Sequence, residues 1–202
     1  MPSFVYENKL ISQGFKVVAG VDEAGRGPLA GPIVAAAVVF PNKCKLSGLD
    51  DSKKISPDKR EKLFIKIFEK AIAVGIGILD HKIIDKINIG KANSLVMKMA
   101  IENLKLLPDF VLVDGKRSIL EIDIEQRAIV GGDGKSASIA AASIIAKVTR
   151  DRMMVKYHAQ FPQYGFIDHK GYGTKEHYKK IKKYGPCPIH RRTFNLLDTR
   201  KI

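Results

Sequence analysis

The stretch Val17–Phe40, VVAGVDEAGRGPLAGPIVAAAVVF, constrains the fold more than any other part of the chain. Two short apolar runs, rich in Val, Ile and Ala, are bounded by turn residues. They read as two buried neighbouring strands, 16–22 and 33–40. The first run ends in adjacent carboxylates, Asp22 and Glu23, and a glycine-punctuated basic turn, Gly25-Arg26-Gly27-Pro28, follows. Two acids at the mouth of a buried strand are costly unless a metal ion, a basic partner or water meets them. The chemistry of such a chain is therefore expected at a strand end.

The remaining chain alternates between the two periodicities. A leading helix or arm is expected over 4–15. Ser56 is a good N-cap and Pro57 suits the first helical position, so a helix runs to about Ile72 with Leu63, Ile67 and Ala71 as its apolar stripe. A strand over 74–79, a short helix over 80–87 and an amphipathic helix over 93–107, stopped by Pro108, come next. FVLVD, 110–114, is a short buried strand that again ends in an acid. A further strand over 127–130 and a tight turn over 131–134 lead into a long helix, 135 to about 161. Its first half, SASIAAASIIAKV, is nearly all small or apolar and suits close packing on a sheet. A basic helix over 176–184 follows. An opening hairpin and then alternating strands and helices predict an α/β layer fold with a mixed central sheet flanked by helices. A length of 202 residues fits one domain. A division is expected near Pro162, with 1–161 as the body and 162–202 as a basic C-terminal helical extension packed on it.

Composition narrows the partners. The net charge is +14, and from Lys147 onward 14 Lys and Arg face only 4 Asp and Glu. A polyanion, nucleic acid above all, is one reading, and a solvated lysine-rich surface is the other. Neither a secretory leader nor an apolar run long enough for a membrane span is seen. Cys44 and Cys187 lack metal-site spacing and are expected as free thiols in a reducing, cytoplasmic setting.

The candidate acids are Asp22, Glu23, Asp114 and Asp133. The first and third end apolar strands, and Asp133 sits in a Gly-Gly-Asp-Gly turn before a helix. Acidic oxygens gathered at one sheet edge suit hard divalent cations, Mg²⁺ or Mn²⁺. With a basic surface, this is the layout of a two-metal phosphodiester hydrolase. For any one of them a turn or cap role is the plainer reading, most of all for Asp133. GDGKS is no nucleotide-binding loop, because the glycine required at 129 is Ile129. Gly25-Arg26-Gly27 offers backbone donors and a guanidinium beside the acids, suited to a sugar hydroxyl. Asp51-Ser52-Lys53-Lys54 reads as a polar loop. Tyr172, between two glycines in a basic region, is placed to stack on a base or sugar or to pack under its loop. His190-Arg191-Arg192 reads as a phosphate contact or a helix cap. No G-x-S-x-G elbow supports a serine triad.

The motifs VDEAGRGPLAGP, LDDSKKIS, FVLVDG, GGDGKS with SIAAASIIAKVTRDR, and YGFIDHKGYGTKEH with GPCPIHRR occur in this order and spacing. Together they closely resemble the type 2 ribonuclease H family in its bacterial form, over nearly the whole length. The resemblance implies a ribonuclease H-like fold with a small C-terminal helical appendage. It implies cleavage of RNA in RNA–DNA hybrids and incision 5′ to a single ribonucleotide in duplex DNA, leaving 3′-hydroxyl and 5′-phosphate ends. It puts two divalent ions, Mn²⁺ or Mg²⁺, on Asp22, Glu23, Asp114 and Asp133. It makes Gly25, Arg26 and Gly27 the sensors of the ribose 2′-hydroxyl. Tyr172 then packs against the sugar 3′ to the cut, and Lys53 and Lys54 face phosphate. A monomer is expected, because no long exposed apolar stripe or heptad run is evident. The competing readings are a junction resolvase, which would ignore an embedded ribonucleotide, a non-catalytic nucleic-acid-binding domain, and acids that merely pair with Arg26, Lys116 and Lys135.

Overall fold

The central strand, β1 (Val18–Ala24), pairs on both sides, antiparallel with β2 (Ile33–Val39) and parallel with β4 (Phe110–Asp114). The computed structural model describes residues 1–46, 48–49 and 55–197. Its single five-stranded sheet runs β3-β2-β1-β4-β5, with β3 (Ala73–Leu79) antiparallel to β2 and β5 (Glu125–Ile129) parallel to β4. The sheet is mixed, as expected. Every residue of β2 is buried because helices cover both faces. Its odd positions, Ile33 to Val39, meet Ile84, Val96 and Ile101 of helix α3 (His81–Glu102). Its even positions meet Leu63 and Ile67 of α2 (Pro57–Lys70) and the alanine-rich start of α4 (Ala137–Gln160). A strand wetted on neither side reads as an unbroken apolar run.

Helix boundaries follow local chemistry. Ser56 caps α2 by accepting from the Lys59 N–H, and Asp80 caps α3 by accepting from Ile83. The two helices expected over 80–107 abut in α3, with one non-helical residue between them, Asn88 (φ 66°, ψ 162°). Its side-chain oxygen accepts from the N–H groups of Gly90 (3.0 Å) and Lys91 (3.1 Å), so Asn88 restarts the helix as an internal N-cap. The helix also ends earlier than expected. Asn103 turns out of it and donates to the Ile76 carbonyl at 2.8 Å. Pro108 biases Leu107, before it, away from the helical region.

Small residues decide how closely α4 lies. Gly20 of β1 sits beneath its first turn, and a Cβ there would overlap the Ser138–Ile139 backbone. The first half of α4 is buried from Ala137 to Ala146. Helix α1 (Val5–Ser12) braces the same end. The buried Glu7 carboxylate accepts from Ser136 Oγ (2.6 Å), Ser138 N–H (2.9 Å) and Ser138 Oγ (2.6 Å), placing an anion at a helix N-terminus.

Beyond α4, a 3-10 turn (Pro162–Tyr164), the short α5 (Phe166–His169) and α6 (Lys175–Tyr184) pack back on its distal half. Tyr164, Phe166, Cys187 and Ile189 form a small core with Met154 and Ala30. The Asp85 carboxylate of α3 accepts from Arg192 N–H (2.8 Å), Thr193 N–H (3.0 Å) and Thr193 Oγ (2.6 Å), tying the last described segment to the opposite layer. Both cysteines are free thiols, and no helix among the described residues is long and apolar enough to cross a membrane.

Gly20→Ala should lower unfolding stability by about 1–3 kcal/mol, because backbone rather than a side-chain tip blocks the new methyl. Urea unfolding against wild type checks this, and an unchanged midpoint would mean that α4 has room to move.

Candidate active site

The acids meet because β1 and β4 are parallel neighbours. Val21 pairs with Val113, so Asp22 and Asp114 leave the same edge of the sheet. Alternation then sends Asp22 and Glu23 to opposite faces. Asp22 lies on the α4 side, where the Ser143 hydroxyl bonds its carboxylate, and its Oδ1 accepts from the Glu23 N–H at 2.7 Å. Glu23 lies on the α3 side, in a groove of about 1040 Å³ that it shares with Asp114, Arg26, Asn88, Lys91, Lys116 and Arg117. The Asp114 Oδ1 accepts from the Gly132 N–H at 2.6 Å. That bond draws the 3-10 turn Gly132–Gly134, with the buried Asp133, against the end of β4. The N-terminal segment holds the same turn, since Ser3 N–H donates to the Lys135 carbonyl (3.1 Å) and its own carbonyl accepts from Ala137 (3.0 Å).

Negative charge is in excess here. Burial pushes the Asp22 carboxyl well above the ordinary carboxylate range, with repulsion from Glu23 and Asp114 adding to it. Glu23 is raised chiefly by burial, against the pull of Arg26. The Arg26–Glu23 pair is long, at 3.5 Å, and more than half of the arginine side chain is exposed, so it offsets little. Lys135 donates instead to the Val130 carbonyl at 2.7 Å. Hard oxygen donors with an unmet negative charge fit Mg²⁺ or Mn²⁺. Among the described residues no group of three or more His, Cys, Asp or Glu stands close enough together to hold a metal ion by itself. An open edge of this kind suits Mg²⁺, which keeps several waters.

The glycine turn is held from beneath by two cations. Arg191 is fully buried and donates to the carbonyls of Gly25 (2.6 Å), Arg26 (3.0 Å), Gly31 (3.1 Å) and Pro32 (3.1 Å). Arg150 of α4, also fully buried, donates to Pro32 (2.9 Å), Ala30 (3.1 Å) and Lys170 (3.0 Å). Burial lowers the proton affinity of both guanidiniums, yet both stay charged at neutral pH. Gly25 has φ +100°, and a Cβ there would overlap the Arg150 side chain. Tyr172 is 41% exposed, and its ring edge lies 3.8 Å from where a Gly27 Cβ would stand. Lys147 and Arg150 sit 5.9 and 5.8 Å from its ring centre.

The structure thus brings Asp22, Glu23 and Asp114 together, with Asp133 on the adjoining turn and Gly25, Arg26, Gly27 and Tyr172 alongside. Lys53 and Lys54 lie outside the described residues. Arg191 corrects the reading of His190-Arg191-Arg192 as a phosphate contact or helix cap: it is buried and bonds carbonyls. Arg150 was missed altogether. Its signal is a lone Arg in line with the buried face of a helix otherwise built of Ala, Ile and Ser.

A 3-2-1-4-5 mixed sheet flanked by helices, with carboxylates at the ends of its parallel neighbours, is a ribonuclease H-like fold. A family model described as ribonuclease HII matches residues 19–197. The chain is 57% identical to a ribonuclease HII of Acetivibrio thermocellus over 94% of its own length and 74% of that protein's. It is 56% identical to one of Caldicellulosiruptor bescii over 95% and 92%. Its fold resembles the crystal structure of ribonuclease H2 from Pyrococcus horikoshii, with a TM-score of 0.76, 31% identity, and 92% and 97% of the two chains covered. The chain belongs to the ribonuclease HII family, whose members are divalent-metal-dependent hydrolases.

The crowded acids set a stability test. Asp22 keeps its proton in the folded chain at pH values where the unfolded chain has lost it. Raising pH above about 4 therefore costs stability until the folded value is passed. In EDTA, Asp22→Asn should melt higher than wild type by a few degrees, the scale that about 1 kcal/mol produces in a chain of this size. The gap should open as pH rises above about 4, and Mn²⁺ should stabilise wild type more than the variant. Melting curves across pH read all three, and a lower melting point for Asp22→Asn at pH 7 would contradict the charge argument.

Proposed function

We propose that the chain hydrolyses the RNA strand of RNA–DNA hybrids and incises 5′ to a single ribonucleotide in duplex DNA, leaving 3′-hydroxyl and 5′-phosphate ends. The observation that carries this reading is the adjacency of the acids to a backbone-lined turn and an exposed aromatic ring. Glu23 and Arg26 line one groove, and Gly27 lies beside the Tyr172 ring.

In this reading Asp22, Glu23, Asp114 and Asp133 would hold two divalent ions, Mg²⁺ or Mn²⁺. When bound, such ions supply an activated water and charge stabilisation at the leaving oxygen. The protein's own groups do the rest. The Gly25–Gly27 backbone approaches the ribose 2′-hydroxyl, the feature that separates RNA from DNA. Tyr172 packs on the sugar 3′ to the cut and fixes the scissile phosphate against the acids. Arg26, Lys91, Lys116 and Arg117 offer cations along the groove for backbone phosphates, which position the duplex without reading its bases. Lys53 and Lys54 are assigned to phosphate by the family resemblance. The enzyme acts as a monomer in the cytoplasm.

The test is a labelled DNA duplex carrying one ribonucleotide, with Mg²⁺, Mn²⁺ or EDTA, beside an all-DNA control. A single metal-dependent cut 5′ to the ribonucleotide is expected, with the control intact. Asp22→Asn and Asp133→Asn should reduce cutting to background while binding persists. Tyr172→Ala should slow incision at the single ribonucleotide more than hybrid cleavage. Tight binding without a cut would overturn the proposal and turn attention to four-way junctions.

A further inference from the structure

Behind Tyr172 lies a chain of three buried groups that the proposed chemistry does not use. His177 and His190 are both fully buried, with their Nε2 atoms 3.1 Å apart. The His177 Nδ1 lies 2.9 Å from the Tyr172 carbonyl, and the His190 Nδ1 lies 2.9 Å from the Cys187 N–H. The direction of every bond follows from the last one. A backbone N–H only donates, so the His190 Nδ1 accepts, and the Cys187 thiol at 3.1 Å points to the same lone pair; the Cys187 carbonyl is farther, at 3.3 Å, and already accepts from the His190 N–H at 3.1 Å. A neutral His190 then carries its proton on Nε2 and gives it to the His177 Nε2. His177 must therefore carry its own proton on Nδ1, where it donates to Tyr172. Burial agrees, holding His177 down to about 3 and His190 to about 4, so neither is charged at working pH.

We propose that His177 is a positioning residue for Tyr172, fixed by His190 in the one tautomer that can hold the Tyr172 main chain. His190 is itself joined to the segment after the glycine turn. Gly31 N–H donates to the Ile189 carbonyl (2.9 Å), and Arg191 N–H donates to Leu29 (2.8 Å). The relay thus acts beside the direct bond from Leu29 N–H to the Gly171 carbonyl (2.8 Å) in setting the gap between the Gly25–Gly31 segment and the Tyr172 ring, the two walls that flank the ribose. Stacking of His169 on His177 at 4.3 Å confines the ring plane. This rests on the sugar contact assigned to Tyr172 above.

Asparagine and glutamine separate the two ring nitrogens. At 177, Asn places an amide where Nδ1 stood and keeps the bond to Tyr172, whereas Gln reaches the Nε2 position and keeps only His190. At 190 the order reverses, since Gln keeps the donor to His177 and Asn loses it. At 177 each variant removes one buried hydrogen bond, and at 190 Gln gives up the Cys187 N–H and thiol contacts while Asn gives up only the bond to His177, so a purely structural role predicts equal effects at 177 and a loss for Gln at least as large as for Asn at 190. Positioning predicts that His177→Gln and His190→Asn lose roughly fivefold to tenfold in kcat on the single-ribonucleotide duplex, the scale of one net hydrogen bond. His177→Asn and His190→Gln should stay within about twofold of wild type by the same argument. The differences should vanish in a Tyr172→Ala background, because the effect passes through that residue. The two pairs are independent, so failure of one pair to fold leaves the other to decide. Equal losses within a pair, or a difference that survives Tyr172→Ala, would overturn the proposal. If Tyr172→Ala itself cut the duplex like wild type, the sugar contact and the relay would fall together. An impaired Tyr172→Ala with equal Asn and Gln variants would overturn the relay alone.

Discussion

The constraint on which the molecule depends is negative charge held at the end of a buried strand. Asp22 leaves β1 beneath α4 and Glu23 leaves it toward α3, so the sheet edge is acidic on both sides. Cations near this edge offset it little: Arg26, which pairs with Glu23, is mostly solvated, and Lys135 donates to a carbonyl. The surrounding framework is correspondingly rigid. Parallel pairing fixes Asp22 beside Asp114, an Asp114–Gly132 bond fixes the turn that carries Asp133, and the N-terminal segment clamps that turn from outside. Stability is given up at this edge and recovered in the apolar layers behind it, which is how a site for cations is kept ready.

Positive charge is treated in the opposite way. The exposed lysines and arginines along the groove are solvated, whereas Arg150 and Arg191 are buried and donate to main-chain carbonyls. Seven such bonds organise a segment of only eight residues and the neighbouring Lys170. On the other side of that peptide chain the Leu29 and Gly31 N–H groups donate to the Gly171 and Ile189 carbonyls, so the segment is held from both sides. The glycine turn thus owes its shape to cations that never reach the surface.

Much of this was legible in the sequence, and the reason is periodicity. The unbroken apolar runs of β1, β2 and β4 gave the buried strands, and acids directly after such runs stood out because nothing local explains them. The small-residue face of α4 predicted its close packing. The break at Asn88 was less legible, since one residue with a capping side chain separates two helices that periodicity had placed five residues apart. The early end at Asn103 depends on a carbonyl of β3, a partner 27 residues away. Arg150 left a trace, a lone cation on an apolar helix face, but its role and that of Arg191 were illegible because their partners are carbonyls, which every residue owns and no sequence pattern marks. The histidine relay shares this property, as its direction is set by a backbone N–H.

The grip of Arg191 on the glycine turn also has a temporal side. Its four acceptors lie 159 to 166 residues earlier in the chain. On the ribosome the candidate acids, their strands and α4 are all made before this arginine appears. The turn beside the acids lacks these four donors until Arg191 has docked beneath it. The wall beside the acids is therefore completed by contacts of very long sequence separation, which are slow to close, so the sheet edge forms ahead of the turn that flanks it.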